Sequence, residues 1–367
     1  AADVAARGIR RIDGRVVVDA SLFPEGGREG GTGFVLSPVV VNDNAVDAFF
    51  SPTAEGQPAQ VETSPATSYV RFISHVVTGP TGSRAEIRIG SDVASGDGRR
   101  TVTIEGRVPA GSPRILQGYP VPEPSRFAEC VLTDALHERG IVATMRPRED
   151  AVDAAALRAS YTDAHVVAEH TSPPFIEEVK VTLKVSQNLH ASNTPFLVGA
   201  LKGGAGTAAA GLARIRAFLE RTGADVSGAS QSDGAGAAAH FTPTFMTGLL
   251  AYMAKQPAAQ AFHDALPVLG RDGTLYNVQK DSPAAGHVWA KTGTYGSPDL
   301  LHAGLMVDGK GLAGYVSRAD GHRLAIAIYV NNVRLASPDD LTPVVGQALG
   351  EIAAVAYDGP LPAPRTR

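Results

Sequence analysis

Between Val35 and Val108 the chain passes through six short β-favouring runs, 35–41, 45–50, 59–63, 69–77, 84–89 and 100–108, separated by Gly, Pro, Asn or Asp. Runs of this length between turn residues predict a β-rich, mainly antiparallel module, with a further strand at 15–19. At Ser125 the period changes. Phe127, Val131, Leu132 and Leu136 fall on one helical face that Arg139-Gly140 closes. Helical spacing returns in Phe175, Val179 and Leu183, in 207–221, and behind the Thr242-Pro243 cap in Phe245, Leu249 and Met253. A strand over 286–294, two more at 311–318 and 323–330 around an Asp320-Gly321 hairpin, and a closing helix over 338–356 complete the pattern. Val166 begins a strand that leads into a helix start at Pro173-Pro174, and a frayed Pro/Arg-rich tail follows the last helix. At 367 residues the chain exceeds one compact core, so two or more domains are expected, with the polar stretch 146–150 as a linker.

Composition narrows the functional classes. A net charge of −4 and a pI near 6.2 give no broad basic field, so nucleic acid is not an expected partner. Cys130 is the only cysteine, which excludes an internal disulfide and a cysteine-built zinc site. The ten histidines show no metal-ligand spacing, and nothing calls for a metal or an organic cofactor. No apolar run reaches membrane-spanning length, and the first residues lack the basic-then-apolar order of a secretory leader. The expectation is that a leader has been removed or that the natural start lies elsewhere.

Chemistry concentrates at two places. Lys291-Thr292-Gly293-Thr294 closes the alternating strand after Trp289-Ala290 and presents an ammonium, hydroxyls and an unencumbered backbone. Those groups suit a carboxylate and an acyl carbonyl. Far upstream lies Ser186-Gln187-Asn188, at the end of the helix carrying Phe175, Val179 and Leu183, where side chains project into a cleft. Serine enzymes that react with penicillin combine three motifs: Ser-x-x-Lys, Ser-x-Asn and Lys-Thr-Gly. Two of them stand here in that order. None of the seven lysines has a serine three residues before it, so the nucleophile motif is missing from these residues.

These motifs, with Gly14 to Phe23, Pro65 to Val70, Glu169 to Pro174 and Leu266 to Leu275, resemble the class C low-molecular-mass penicillin-binding proteins, the D-alanyl-D-alanine carboxypeptidase/endopeptidase family. The resemblance covers nearly the whole chain. It implies an α+β multi-domain fold: a DD-peptidase or serine β-lactamase-like transpeptidase domain, an antiparallel sheet flanked by helices, with inserted β-rich domains. Residues 1–145 would be the insertions and 146–367 the C-terminal part of the catalytic domain. The nucleophile would lie upstream of Ala1, on an N-terminal fragment of the same polypeptide.

The family's chemistry implies that Ser186 relays a proton to the leaving amine, Asn188 binds the substrate amide and Lys291 supplies positive potential beside Ser186. Thr292 and Thr294 would hold the terminal carboxylate, the Thr294 N–H would complete an oxyanion hole, Gly293 would leave room for the acyl group, and Tyr295 would line the cleft. The implied ligands are peptidoglycan stem peptides ending in D-Ala-D-Ala, and β-lactams, in the periplasm or extracytoplasmic envelope. A homologue that binds peptidoglycan without cleaving it is the alternative, and a β-lactamase or esterase on the same scaffold a third. Two departures stand out: Ser-Gln-Asn replaces the commoner Ser-Asp-Asn or Ser-Asn-Asn, and Asp233-Gly234-Ala235-Gly236-Ala237-Ala238 stands where hydroxyls and a bulky side chain are usual. The run from Tyr295 to Lys310 has no assigned role.

Overall fold

A computed structural model of the chain describes residues 1–148, 150, 152–237 and 239–360. The tail from 361, Glu149 of the expected linker and Ala238 lie outside the described residues. The chain forms two compact units, Ala1–Thr171 and Ser172–Arg367.

In the first unit, helix α1 (Ala2–Ala6) ends at Arg7, with the left-handed Gly8 behind it. Strand β1 (Arg11–Val16) pairs in parallel with β8 (Val142–Met145). Strand β2 (Ala45–Ser51) lies between β3 (Gln60–Ser64) and β7 (Ile115–Pro120), both antiparallel to it. A second sheet centres on β6 (Arg100–Pro109), with β4 (Val70–Gly79) parallel and β5 (Glu86–Ala94) antiparallel. The module is therefore β-rich and mainly antiparallel, with parallel pairings at β1–β8 and β4–β6. Val46, Phe50, Tyr69, Ile104 and Phe127 meet in one core, closed by helix α2 (Pro124–Glu138).

The run 35–41 forms no strand. Pro38 lacks an amide to donate, and the Asn44 side chain instead donates to the Val35 carbonyl at 3.0 Å. Residues 146–171, including the short helix α3 (Ala154–Ala159), stay with this unit. Arg146 pairs with the buried Glu129 at 3.1 Å, Arg158 donates to Ser21 at 2.7 Å and Tyr161 to Asp19 at 3.1 Å.

The second unit starts with helices α4 (Phe175–Lys184), α5 (Asn188–Val198) and α6 (Ala208–Arg221). A short ribbon, β9 (Ala229–Ser230) with β10 (His240–Phe241), leads to α7 (Pro243–Met253), whose N-cap Thr242 accepts from the Phe245 amide, and then to α8 (Ala259–Ala265). The sheet follows: β11 (Val288–Asp299), β12 (Gly304–Ser317) and β13 (Arg323–Val330) in antiparallel order, with β14 (Val333–Leu335) beside the start of β12. A turn over Leu341–Gly346 runs into the last helix, α9 (Gln347–Asp358).

Both faces of this sheet are covered. Val288, Ala290, Leu312 and Val316 pack with Leu349 and Ala353 of α9, while Trp289 and Tyr315 pack with Leu250, Leu266 and Leu183 on the other side. The Tyr315 hydroxyl donates to the Leu250 carbonyl at 2.8 Å, which fixes α7 to the sheet. The unassigned run 295–310 is the far arm of the β11–β12 hairpin, bent by a register shift between Tyr295 and Gly296. Leu312 of β12 is buried in the core shared with α9, so Leu312→Ala leaves a cavity that costs about 2–5 kcal/mol, read as a lower urea midpoint.

Candidate active site

Lys291 donates from Nζ to the Ser186 hydroxyl at 2.7 Å across 105 residues of chain. Two local structures produce that contact. The first is the junction between α4 and α5. Helix α4 ends at Val185, and the Gln187 amide reaches back to the Thr182 carbonyl at 3.2 Å while Ser186 takes a left-handed φ of 61°. This is a Schellman-type stop with serine where glycine is usual, a backbone cost a side chain needed elsewhere can justify.

Gln187 then caps α5, its side-chain oxygen accepting from the Leu189 amide at 2.8 Å. The middle residue of the triplet thus holds a helix end, a task Asp or Asn performs equally well. Asn188 opens α5 with a side-chain amide that has no protein hydrogen-bond partner among the described residues.

The second structure is the edge strand β11. Alternation sends Trp289 and Lys291 toward the α4 and α7 side and Val288, Ala290, Thr292 and Thr294 toward α9. The Ala290 amide donates to Pro267 and the Val288 carbonyl accepts from Leu269, each at 2.9 Å, away from β12. By the two-residue period, the amides of Thr292 and Thr294 also face this open edge. Beyond Gly293 and its two chain neighbours, no atom of the described residues lies within 4 Å of where a Gly293 Cβ would stand.

The loop before β11 holds the two structures together. Lys184 pairs with Asp272 at 2.7 Å, and Asp272 accepts from the Val268 amide at 2.8 Å. Gly273, at a φ of 58°, lies so close to the end of α4 that a Cβ would meet the Lys184 carbonyl at 2.5 Å. Thr274 follows and shares a 2.8 Å hydrogen bond with Thr292.

Ser186, Asn188, Thr292 and Thr294 line one pocket of about 450 Å³ with Thr274, Lys310 and the apolar Leu275, Leu312 and Leu349. Tyr295 is 56% exposed and does not line it; Lys291 reaches Ser186 from behind. Lys310 and Thr274 were not singled out as site residues in the sequence. Lys310 stands on the same strand face as the core residues Leu312 and Val316, a placement whose meaning comes from the cross-strand register with Thr294.

Burial pulls the Lys291 ammonium down to about 8, and the nearby charge of Lys310 adds to the shift. Burial lowers Lys310 as well. The groups therefore form a hydroxyl–amine pair poised for proton transfer, with hydroxyls and positive charge suited to an anion beside it.

An antiparallel sheet covered by helices on both faces thus carries a lysine–serine pair at its edge. The fold matches the crystal structure of penicillin binding protein 4 (dacB) from Haemophilus influenzae with a TM-score of 0.69 at 19% identity, covering 97% of this chain and 78% of that one. The same protein complexed with a novel β-lactam matches with a TM-score of 0.66, also at 19% identity, over 97% of this chain and 76% of that one. Residues 1–348 match the D-Ala-D-Ala carboxypeptidase 3 (S13) family, and the chain belongs to that family. It is 29% identical over 375 residues to a D-alanyl-D-alanine carboxypeptidase of Actinomadura sp. (strain R39), a match covering 96% of this chain and 66% of the relative. The chain thus spans just under two thirds of that relative's length.

The depressed Lys291 carries a stability signature. Below about pH 8 the folded state holds a charged, buried ammonium; between pH 8 and 10.5 it has released the proton while the unfolded state has not. Stability relative to Lys291→Met therefore rises with pH across that window, by on the order of 3 kcal/mol, measured by denaturation at a series of pH values.

Proposed function

We propose that the natural polypeptide containing these residues is a serine-type D-Ala-D-Ala carboxypeptidase or endopeptidase. It acts on peptidoglycan stem peptides outside the cytoplasmic membrane, through an acyl-enzyme that penicillin mimics. The observation that carries this reading is the 2.7 Å bond between Lys291 and Ser186, made beside Asn188, Thr292 and Thr294 at an open strand edge. Family membership supports the same substrate class.

In this reading the nucleophile is a serine three residues before a lysine, on a segment other than these 367 residues. The paired lysine takes its proton, because a neutral hydroxyl attacks a peptide carbonyl poorly near neutral pH. Ser186 hands a proton to the departing D-alanine amine, with Lys291 charging the relay from behind. The Thr294 amide, directed away from β12, stabilises the oxyanion; Asn188, without a protein partner among the described residues, holds the peptide amide; and Gly293 leaves the space above the strand open. Thr292 and Thr294 donate to the terminal carboxylate. Tyr295, on the exposed continuation of β11, contacts the peptide outside the pocket.

The test is labelling of the full-length polypeptide with a fluorescent penicillin, together with release of D-alanine from an acyl-D-Ala-D-Ala peptide. Both are expected. Absence of both in a folded full-length protein would support the non-cleaving peptidoglycan binder. Ser186→Gly separates chemistry from folding, since glycine accepts the left-handed backbone. Turnover should fall about a hundredfold or more while stability stays within about 1 kcal/mol of the parent.

A further inference from the structure

The run from Tyr295 to Lys310 ends on a residue placed like a ligand-binding group. Lys310 is 8% exposed and pairs in register with Thr294 across β11 and β12, so both side chains leave the same face of the sheet. Its Nζ donates to the Thr294 hydroxyl at 3.0 Å, and both residues line the pocket that Ser186, Asn188 and Thr292 also line. No carboxylate pairs with Lys310 among the described residues. Lys310 instead adds charge of the same sign to the surroundings of Lys291. A buried ammonium without a counter-ion is costly, and a pocket holding one is completed by an anion.

Resting on the peptidase reading above, we propose that Lys310 is the charge partner of the substrate's terminal carboxylate, leaving Lys291 to serve the proton transfer at Ser186. The geometry divides the two ammonium groups. Lys291 lies on the opposite strand face and spends its hydrogen bonds on the Ser186 hydroxyl and on the Thr292 carbonyl at 2.6 Å. Lys310 lies on the pocket face. Because the Thr294 hydroxyl accepts from Lys310, it keeps its own proton to donate, and one carboxylate can take bonds from Thr292, Thr294 and Lys310 together.

The experiment measures equilibrium binding of an acyl-D-Ala-D-Ala peptide and of its C-terminal carboxamide to the full-length protein by saturation-transfer NMR, with hydrolysis followed in parallel. The parent should bind the carboxylate about tenfold or more tighter than the carboxamide. Lys310→Met should erase that preference with little effect on the carboxamide. Lys310→Gln, which keeps a donor toward Thr294 without charge, should do the same and guards against a folding defect in the first variant. A parent without the preference, a variant that keeps it, or equal weakening of both ligands overturns the proposal. If the preference depends on Lys310 but no peptide is cleaved, the carboxylate assignment stands and the peptidase reading falls; if cleavage proceeds with no dependence on Lys310, the reverse holds.

Discussion

Strand alternation at the free edge of a three-layered unit is the constraint on which the site depends. Because β11 pairs with β12 on one side only, the amides of Thr292 and Thr294 face the open edge without a partner among the described residues. Successive side chains leave opposite faces, so one short segment directs an amine toward α4 and two hydroxyls toward α9. A helix could not separate neighbouring groups in this way. The packing of Val288 and Ala290 beneath α9, and of Trp289 beneath α7 and α8, locks the register that makes the separation definite.

Everything opposite that edge is arranged around the end of α4. Serine occupies a left-handed position, Gly273 fills a space in which alanine would meet the Lys184 carbonyl, and Asp272 ties the last turn of the helix to the loop that carries Thr274. None of these choices maximises stability. Two ammonium groups are withdrawn from water with no acid beside them among the described residues, and burial shifts both toward the neutral form. The unit retains these costs around the pocket that Ser186, Asn188, Thr292 and Thr294 line.

Much of this was legible in the sequence because Ser186-Gln187-Asn188 sits between two helix ends, where local signals are strong. Lys291 continues the alternation of β11, although that strand runs on to Asp299 instead of closing at Thr294. The Thr242-Pro243 cap, the alternation into Lys291 and the face of Phe175, Val179 and Leu183 each predict the element that forms. Local signals fail where long-range pairing decides. Ile115–Pro120 becomes β7 despite Gly118 and a proline at its end, because β2 offers a partner. The apolar run 35–41 forms no strand, since Pro38 interrupts it and the Asn44 side chain takes up the Val35 carbonyl. The extended stretch after Val166 likewise finds no strand partner among the described residues. The parallel pairings of β1 with β8 and β4 with β6 leave no trace in spacing. Lys310 was hidden for the same reason: its meaning depends on a register across the hairpin, not on its neighbours in sequence.

The empty space beside Gly293 separates two kinds of selection. With no atom of the described residues, beyond the chain neighbours, within 4 Å of the point a methyl would occupy, a small side chain there meets no steric objection from them. A library sorted for soluble expression would therefore retain substitutions at this position, and wherever one sorted for ligand capture loses what the first keeps, the divergence between the two survivor lists would outline the volume a bound molecule needs.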